Sequence, residues 1–243
     1  MISSLISLVS FIGITILYSI VRFFIERKNT NSSAGLIVTL IYFSLVVVTQ
    51  FILNLYTTSV VCNESQPGTA LIYTLIPWIF IFGSIFSLLK IFPGWKIPFS
   101  NTFGYLIVRL LGIRGLFHKI LKSPETNNTI KTIYEDSSLT INQFTPSNFD
   151  SVYNSFVSNG LLSADADKHK QSFKNLVLIK DYVSEFVWLI LSGMLITSIS
   201  YNSINNSTCS QSISSMQKQH RKWEVEQNKK EKPKEQPKYF VTD

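Results

Sequence analysis

Residues 71–89 pass without one charged side chain and then meet Lys90 and a segment crowded with proline, glycine and aromatic residues. That run is about as long as the roughly 20 apolar residues a helix needs to cross a hydrocarbon core. Inside lipid the backbone can satisfy its polar groups only from within, so such a run has to be helical. Beyond it, Pro93, Gly94, Pro98 and Gly104 do not continue a regular helix, while Trp95, Phe99, Phe103 and Tyr105 are of the types that settle at a membrane-water boundary. The chain is expected to cross a bilayer over 70–92 and to turn at its surface.

Three further runs have the same character, at about 2–21, 34–56 and 182–202. The first lacks the basic leader and small-residue cleavage site of a secretory signal, which makes it a retained helix. Arg22, Glu26, Arg27 and Lys28 follow it, with Arg22 placed to snorkel, and a polar turn over 29–33 closes a hairpin onto the second span. Gln50 and Asn54 put two amides on one face of that span, a pattern read as hydrogen bonding between helices before permeation. Pro77 predicts a kink in the third span, and Gly83 with Ser87 makes a small-residue strip where another helix can pack. The fourth span is predicted to run on from a preceding polar helix through Lys174, Lys180 and Asp181, with Glu185 the only charge near its entry.

The segment 93–122 is apolar but interrupted by Arg109, Arg114, His118 and Lys119, too charged for a fifth span. On a helical wheel Arg114, His118 and Lys122 share one face and Ile113, Leu116, Phe117 and Ile120 the other, the pattern of a helix lying in the interface. Lys90, Trp95, Lys96, Phe99, Arg114, His118, Lys119 and Lys122 then form an expected contact surface for anionic headgroups or a protein partner. Residues 123–181 read as a small soluble module. Thr-Ile alternation over 129–144 predicts a short strand or hairpin. Helices capped by Ser147 and Ser163 come next, the first stopped by Asn159-Gly160. Asp165, Asp167 and His169 read as a solvated first turn, not as metal ligands. Residues 203–243 form a polar tail, partly disordered by composition. The expected fold class is mainly α: a four-helix transmembrane protein with an interfacial amphipathic helix and a small soluble α(+β) module, the membrane unit covering 1–120.

Charge orders these elements across the membrane. The chain has 22 Lys and Arg against 15 Asp and Glu, yet the loop 57–69 and the exit 202–217 contain no Lys or Arg. Both termini and both uncharged loops are therefore expected on the non-cytoplasmic side. Cys62 and Cys209, the only two cysteines, fall in those loops. Two crossings separate them, so they face one compartment whichever way the protein is inserted, and a disulfide between them is expected. Asn63, Asn205 and Asn206 open glycosylation sequons beside them. Two cysteines and three histidines offer no paired metal spacing, and no nucleophile and base stand at usable spacing, so neither a cofactor nor an enzyme is expected. Anionic lipid is the favoured partner of the basic excess, with nucleic acid the lesser reading for the tail.

The block Phe92-Pro93-Gly94-Trp95-Lys96-Ile97-Pro98-Phe99-Ser100-Asn101-Thr102-Phe103-Gly104-Tyr105 resembles a multi-pass internal-membrane protein family of large nucleocytoplasmic DNA viruses. The resemblance covers about 76–112, with the remainder following in hydropathy order alone. It implies a location, the virion internal membrane or the host endoplasmic reticulum on the way to it, and carries no catalytic residue onto this chain. The expected function is that of a structural membrane protein engaging a capsid or core partner, with a homo-oligomer possible. The alternative is a small oligomeric ion channel or transporter using Gln50, Asn54 and the Pro77 kink.

Overall fold

A computed structural model describes residues 2–27, 32–125, 128–209 and 213–230. Lys28, most of the expected polar turn, and the last thirteen residues of the tail lie outside the described residues. Among the described residues helix is the only regular secondary structure, with four helices long and apolar enough to cross a membrane. Helices α1 (Ile2–Arg27) and α2 (Ser32–Cys62) form the hairpin, and α3 (Pro67–Ile91) returns beside them. Pro67 opens α3 at a position whose N–H needs no partner. Pro77, which lacks an N–H, is accommodated by a π-helical stretch over Ile76–Phe82. The wider turns bury Trp78 and Phe82 completely against Phe11 of α1, with ring centroids 5.3 and 5.9 Å away. Gly83 faces Phe43 of α2, while its expected companion Ser87 is exposed.

Phe92 precedes Pro93 and takes an extended conformation, which ends α3. A 3-10 turn over Pro93–Lys96 then leads into α4 (97–110), so Pro98 and Gly104 sit within helix and the turn is confined to 92–96. Pro98 lies in a first turn, where its missing donor costs nothing. Gly104 is required by a close crossing: a Cβ there would stand 2.5 Å from the carbonyl oxygen of Lys180. Outward from this crossing, Phe103, Leu106 and Leu110 remain exposed at helical spacing. This row, not the face expected over 113–122, is the exposed apolar surface beside the elbow at 92–96.

Gly112, at φ +91, turns the chain sharply into α5 (Ile113–Ile120). Its amphipathic pattern is real, but Ile113, Phe117 and Ile120 are buried in the core of the module together with Ile130, Ile133, Phe144, Phe149 and Phe173. The module core thus begins already in α4, at Val108, ahead of the expected start at 123. The expected hairpin over 129–144 is replaced by α6 (Asn128–Glu135) and α7 (Ser137–Ile141). Ile130 and Ile133 stand three residues apart, which places both on one helical face, and Asp136 caps α7 by accepting the Ser138 N–H at 2.9 Å. Among the described residues the one β feature is a single antiparallel bridge between Leu121 and Leu162.

Helix α8 (Phe149–Ser158) ends as expected at Gly160, at φ +65, where the Leu161 N–H reaches the Phe156 carbonyl. Neither expected serine cap forms. Asn148 occupies the start of α8, and Ser163 donates instead to the Lys119 carbonyl at 2.8 Å, tying the far side of the module to α5. Helix α9 (Ala166–Asn205) then runs unbroken from the module through the bundle. Phe173 and Val177 serve the module core, Leu189 and Ile196 the bundle core, and Gly193 admits the Phe11 ring where any Cβ would collide. After α9, α10 (Ile213–Lys230) runs into the polar tail, with most of its described side chains exposed.

Cys62 and Cys209 form a disulfide at a Cα separation of 5.5 Å. Alkylating the native protein before reduction, then mapping peptides, is expected to yield the linked Cys62–Cys209 pair; two alkylated cysteines would refute it. Gly104→Ala should cost about 1–3 kcal/mol of stability by overpacking, because the obstructing atom belongs to backbone. Denaturation of the variant in detergent checks this, and unchanged stability would show the crossing to be looser than drawn.

Candidate functional site

The largest concentration of buried charge lies where bundle, elbow and module meet. Arg22 reaches it from α1, Lys96 from the 3-10 turn, and Asp181 and Glu185 from one face of α9, four residues apart. Arg22 pairs with Glu185 and donates to the Tyr18 hydroxyl at 2.8 Å, and both members of the ion pair are about 95% buried. Lys96 Nζ lies 2.5 Å from Asp181 Oδ2 and 3.8 Å from Glu185 Oε2. Backbone contacts fix the elbow in place: Ser184 donates to the Lys96 carbonyl at 2.5 Å and Trp188 Nε1 to the Trp95 carbonyl at 2.9 Å. Lys180 completes the group from the module side. It is buried, and Nζ donates to Asn101 Oδ1 at 3.2 Å and the Ile141 carbonyl at 2.9 Å.

Arg22 therefore does not snorkel toward headgroups, and Lys96 is withdrawn from the expected surface into ion pairs. Phe99 packs edge-on against Trp188, 5.0 Å between centroids, while Trp95 remains half exposed beside them. Lys90 is exposed and lies over the Phe86 ring. Arg114, His118, Lys119 and Lys122 are exposed around α5 on the module, with the His118 ring 4.5 Å from Tyr134. Gln50 and Asn54 are buried and bonded across helices, to Ser7 and to Thr74. Asp165 pairs with Lys168, and Asp167 accepts the Tyr153 hydroxyl. Asn63, Asn205 and Asn206 are exposed near the disulfide.

On the module surface, hydrogen bonds from Lys174 and Lys170 hold the Asp150 carboxyl below the usual carboxylate range. That attachment of α8 to α9 is present above the unfolded-state value and is lost as pH falls through the depressed one. The Arg22–Glu185 pair was missed from sequence, although a visible signal existed: one basic and one acidic residue enter apolar runs at similar depth from the same side. No family model, curated protein or solved structure matches the chain, so the site is read from its own chemistry.

Replacing one member of a buried ion pair leaves the other uncompensated, at a cost of about 3–5 kcal/mol. Glu185→Gln is expected to destabilise the protein on that scale, whereas Arg22→Met combined with Glu185→Met should cost less than the single change. Unfolding of these two variants, and of Arg22→Met and Glu185→Met singly, in the same detergent decides it; strictly additive costs would mean that the charges do not interact.

Proposed function

We propose that this chain is a structural membrane protein that holds its folded module at a fixed attitude on one face of a bilayer. The observation that carries the reading is α9, a single helix shared by the module core and the bundle core. The clamp around it, made by Arg22, Lys96, Asp181 and Glu185, opposes bending at the membrane boundary. A linker would suffice to tether a domain; a shared helix with buried ion pairs orients it.

The charge asymmetry favours the module on the cytoplasmic side and the disulfide on the opposite, oxidising side. With the resemblance of 92–105, this favours a component of the internal membrane of a large DNA virus, displaying the module to a capsid or core protein. The exposed basic side of α5, with Arg114, Lys119 and Lys122, is the surface offered to that partner or to anionic headgroups. The amides that a channel would employ are engaged within the bundle, Gln50 with Ser7 and Asn54 with Thr74, which favours the packing role.

Quantitative mass spectrometry of purified particles is expected to find the chain at a copy number comparable with other membrane components. Its absence from particles would overturn the viral structural reading.

A further inference from the structure

We propose that the cleft between the elbow and the module binds a phosphate ester bearing a free hydroxyl, with Lys180 as the anion contact and Asn142 as the hydroxyl acceptor. The cleft encloses about 450 Å³ and is lined by Lys96, Ser100, Asn101, Asn142, Lys180 and Asp181 among others. That volume lies in the range of small-molecule sites and suits a headgroup without its acyl chains.

Lys180 carries three N–H donors, and its two hydrogen-bond acceptors, Asn101 Oδ1 and the Ile141 carbonyl, are both neutral. The carboxylates nearby are committed elsewhere: Asp181 to Lys96, Glu185 to Arg22 and Lys96. The junction thus gathers three cations around two anions, and the surplus charge is a lysine only 1% exposed. A buried charge whose hydrogen-bond partners are all neutral is costly, and an entering anion would lower that cost. Asn142 Oδ1 is also buried and has no donor, which a hydroxyl on the same ligand would supply.

An anionic group and a hydroxyl within one small molecule describe a polyol phosphate, such as a glycerol phosphate. Two sources share that chemistry. One is a lipid headgroup, since the cleft opens beside Pro93, Gly94 and Ile97 next to the aromatic cluster of Trp95, Phe99 and Trp188, at the depth such residues occupy. The other is a soluble phosphate ester from the aqueous side.

The test uses the full chain in phosphatidylcholine nanodiscs, with either phosphatidylglycerol added to the bilayer or glycerol 3-phosphate added to the buffer. Thermal unfolding and native mass spectrometry are the readouts, and the result is independent of whether the chain occurs in virus particles. At least one of the two is expected to raise Tm and be retained at one copy per chain. Phosphatidylglycerol alone assigns the lipid source, glycerol 3-phosphate alone the soluble one, and both together mean that the cleft admits either. Lys180→Gln should weaken retention about tenfold, the scale of a lost charge-assisted hydrogen bond. Asn142→Leu, which removes an unpaired acceptor and should fold even where Lys180→Gln does not, is expected to abolish any preference for phosphatidylglycerol over phosphatidic acid. Where glycerol 3-phosphate is the ligand, the same variant should lose its preference over inorganic phosphate; neither ligand binding to the wild type, or the preference of the bound ligand unchanged in Asn142→Leu, would overturn the proposal.

Discussion

The structure depends on neutralising buried charge where the helical bundle, the turn after α3 and the module meet. Bringing Arg22 and Glu185 together out of water carries a desolvation cost that only good geometry and further hydrogen bonds offset. Arg22 also donates to the Tyr18 hydroxyl on α1, Lys96 on the turn after α3 brings a second cation to 3.8 Å from Glu185, and Ser184 on α9 holds that turn by its carbonyl. Charge satisfaction and helix arrangement are thereby one problem. If α9 rotated about its axis, Asp181 and Glu185 would leave Lys96 and Arg22 unpaired at the same moment, so the azimuth of the longest helix is set electrostatically. Apolar packing alone would fix it less sharply, because lipid tails solvate Leu and Ile as well as another helix does.

Below the junction, packing takes over. Phe11 is seated between Gly193 on one side and Trp78 and Phe82 on the other, and the π-helical turns created around Pro77 bring those two rings inward. A residue that breaks hydrogen-bond regularity in α3 therefore shapes the centre of the bundle. Above the junction the module follows soluble-protein rules, with aromatic rings of Phe117, Phe144, Phe149 and Phe173 in edge-on contact.

What the sequence disclosed and what it hid follow from the range of each interaction. The four spans were legible because length and absence of charge are local properties, and the pairing of Cys62 with Cys209 followed from counting crossings. The continuity of α9 was visible in the unbroken pattern through Lys180 and Asp181. The period of 129–141 was misjudged: threonines between isoleucines resemble a strand, but Ile130 and Ile133 repeat at three, and helical burial of both won. The amphipathic face of α5 was correctly seen but given to lipid, since a wheel identifies an apolar face without identifying what covers it. The junction stayed hidden because Arg22 and Glu185 lie 163 residues apart, and each alone reads as an ordinary helix-end charge.

The bridge between Cys62 and Cys209 bears on how the chain is made. Cys209 lies beyond the C-terminal end of α9, so its thiol reaches the compartment of Cys62 only after α3 has crossed the membrane one way and α9 has crossed back. A chain stalled with α9 outside the bilayer, or inserted with one crossing missing, presents its two thiols on opposite sides and cannot oxidise them together. The oxidised form is thus a covalent record that threading was completed. The single bond between Cys62 and Cys209 thus ties together the outcome of the two apolar helices that separate them.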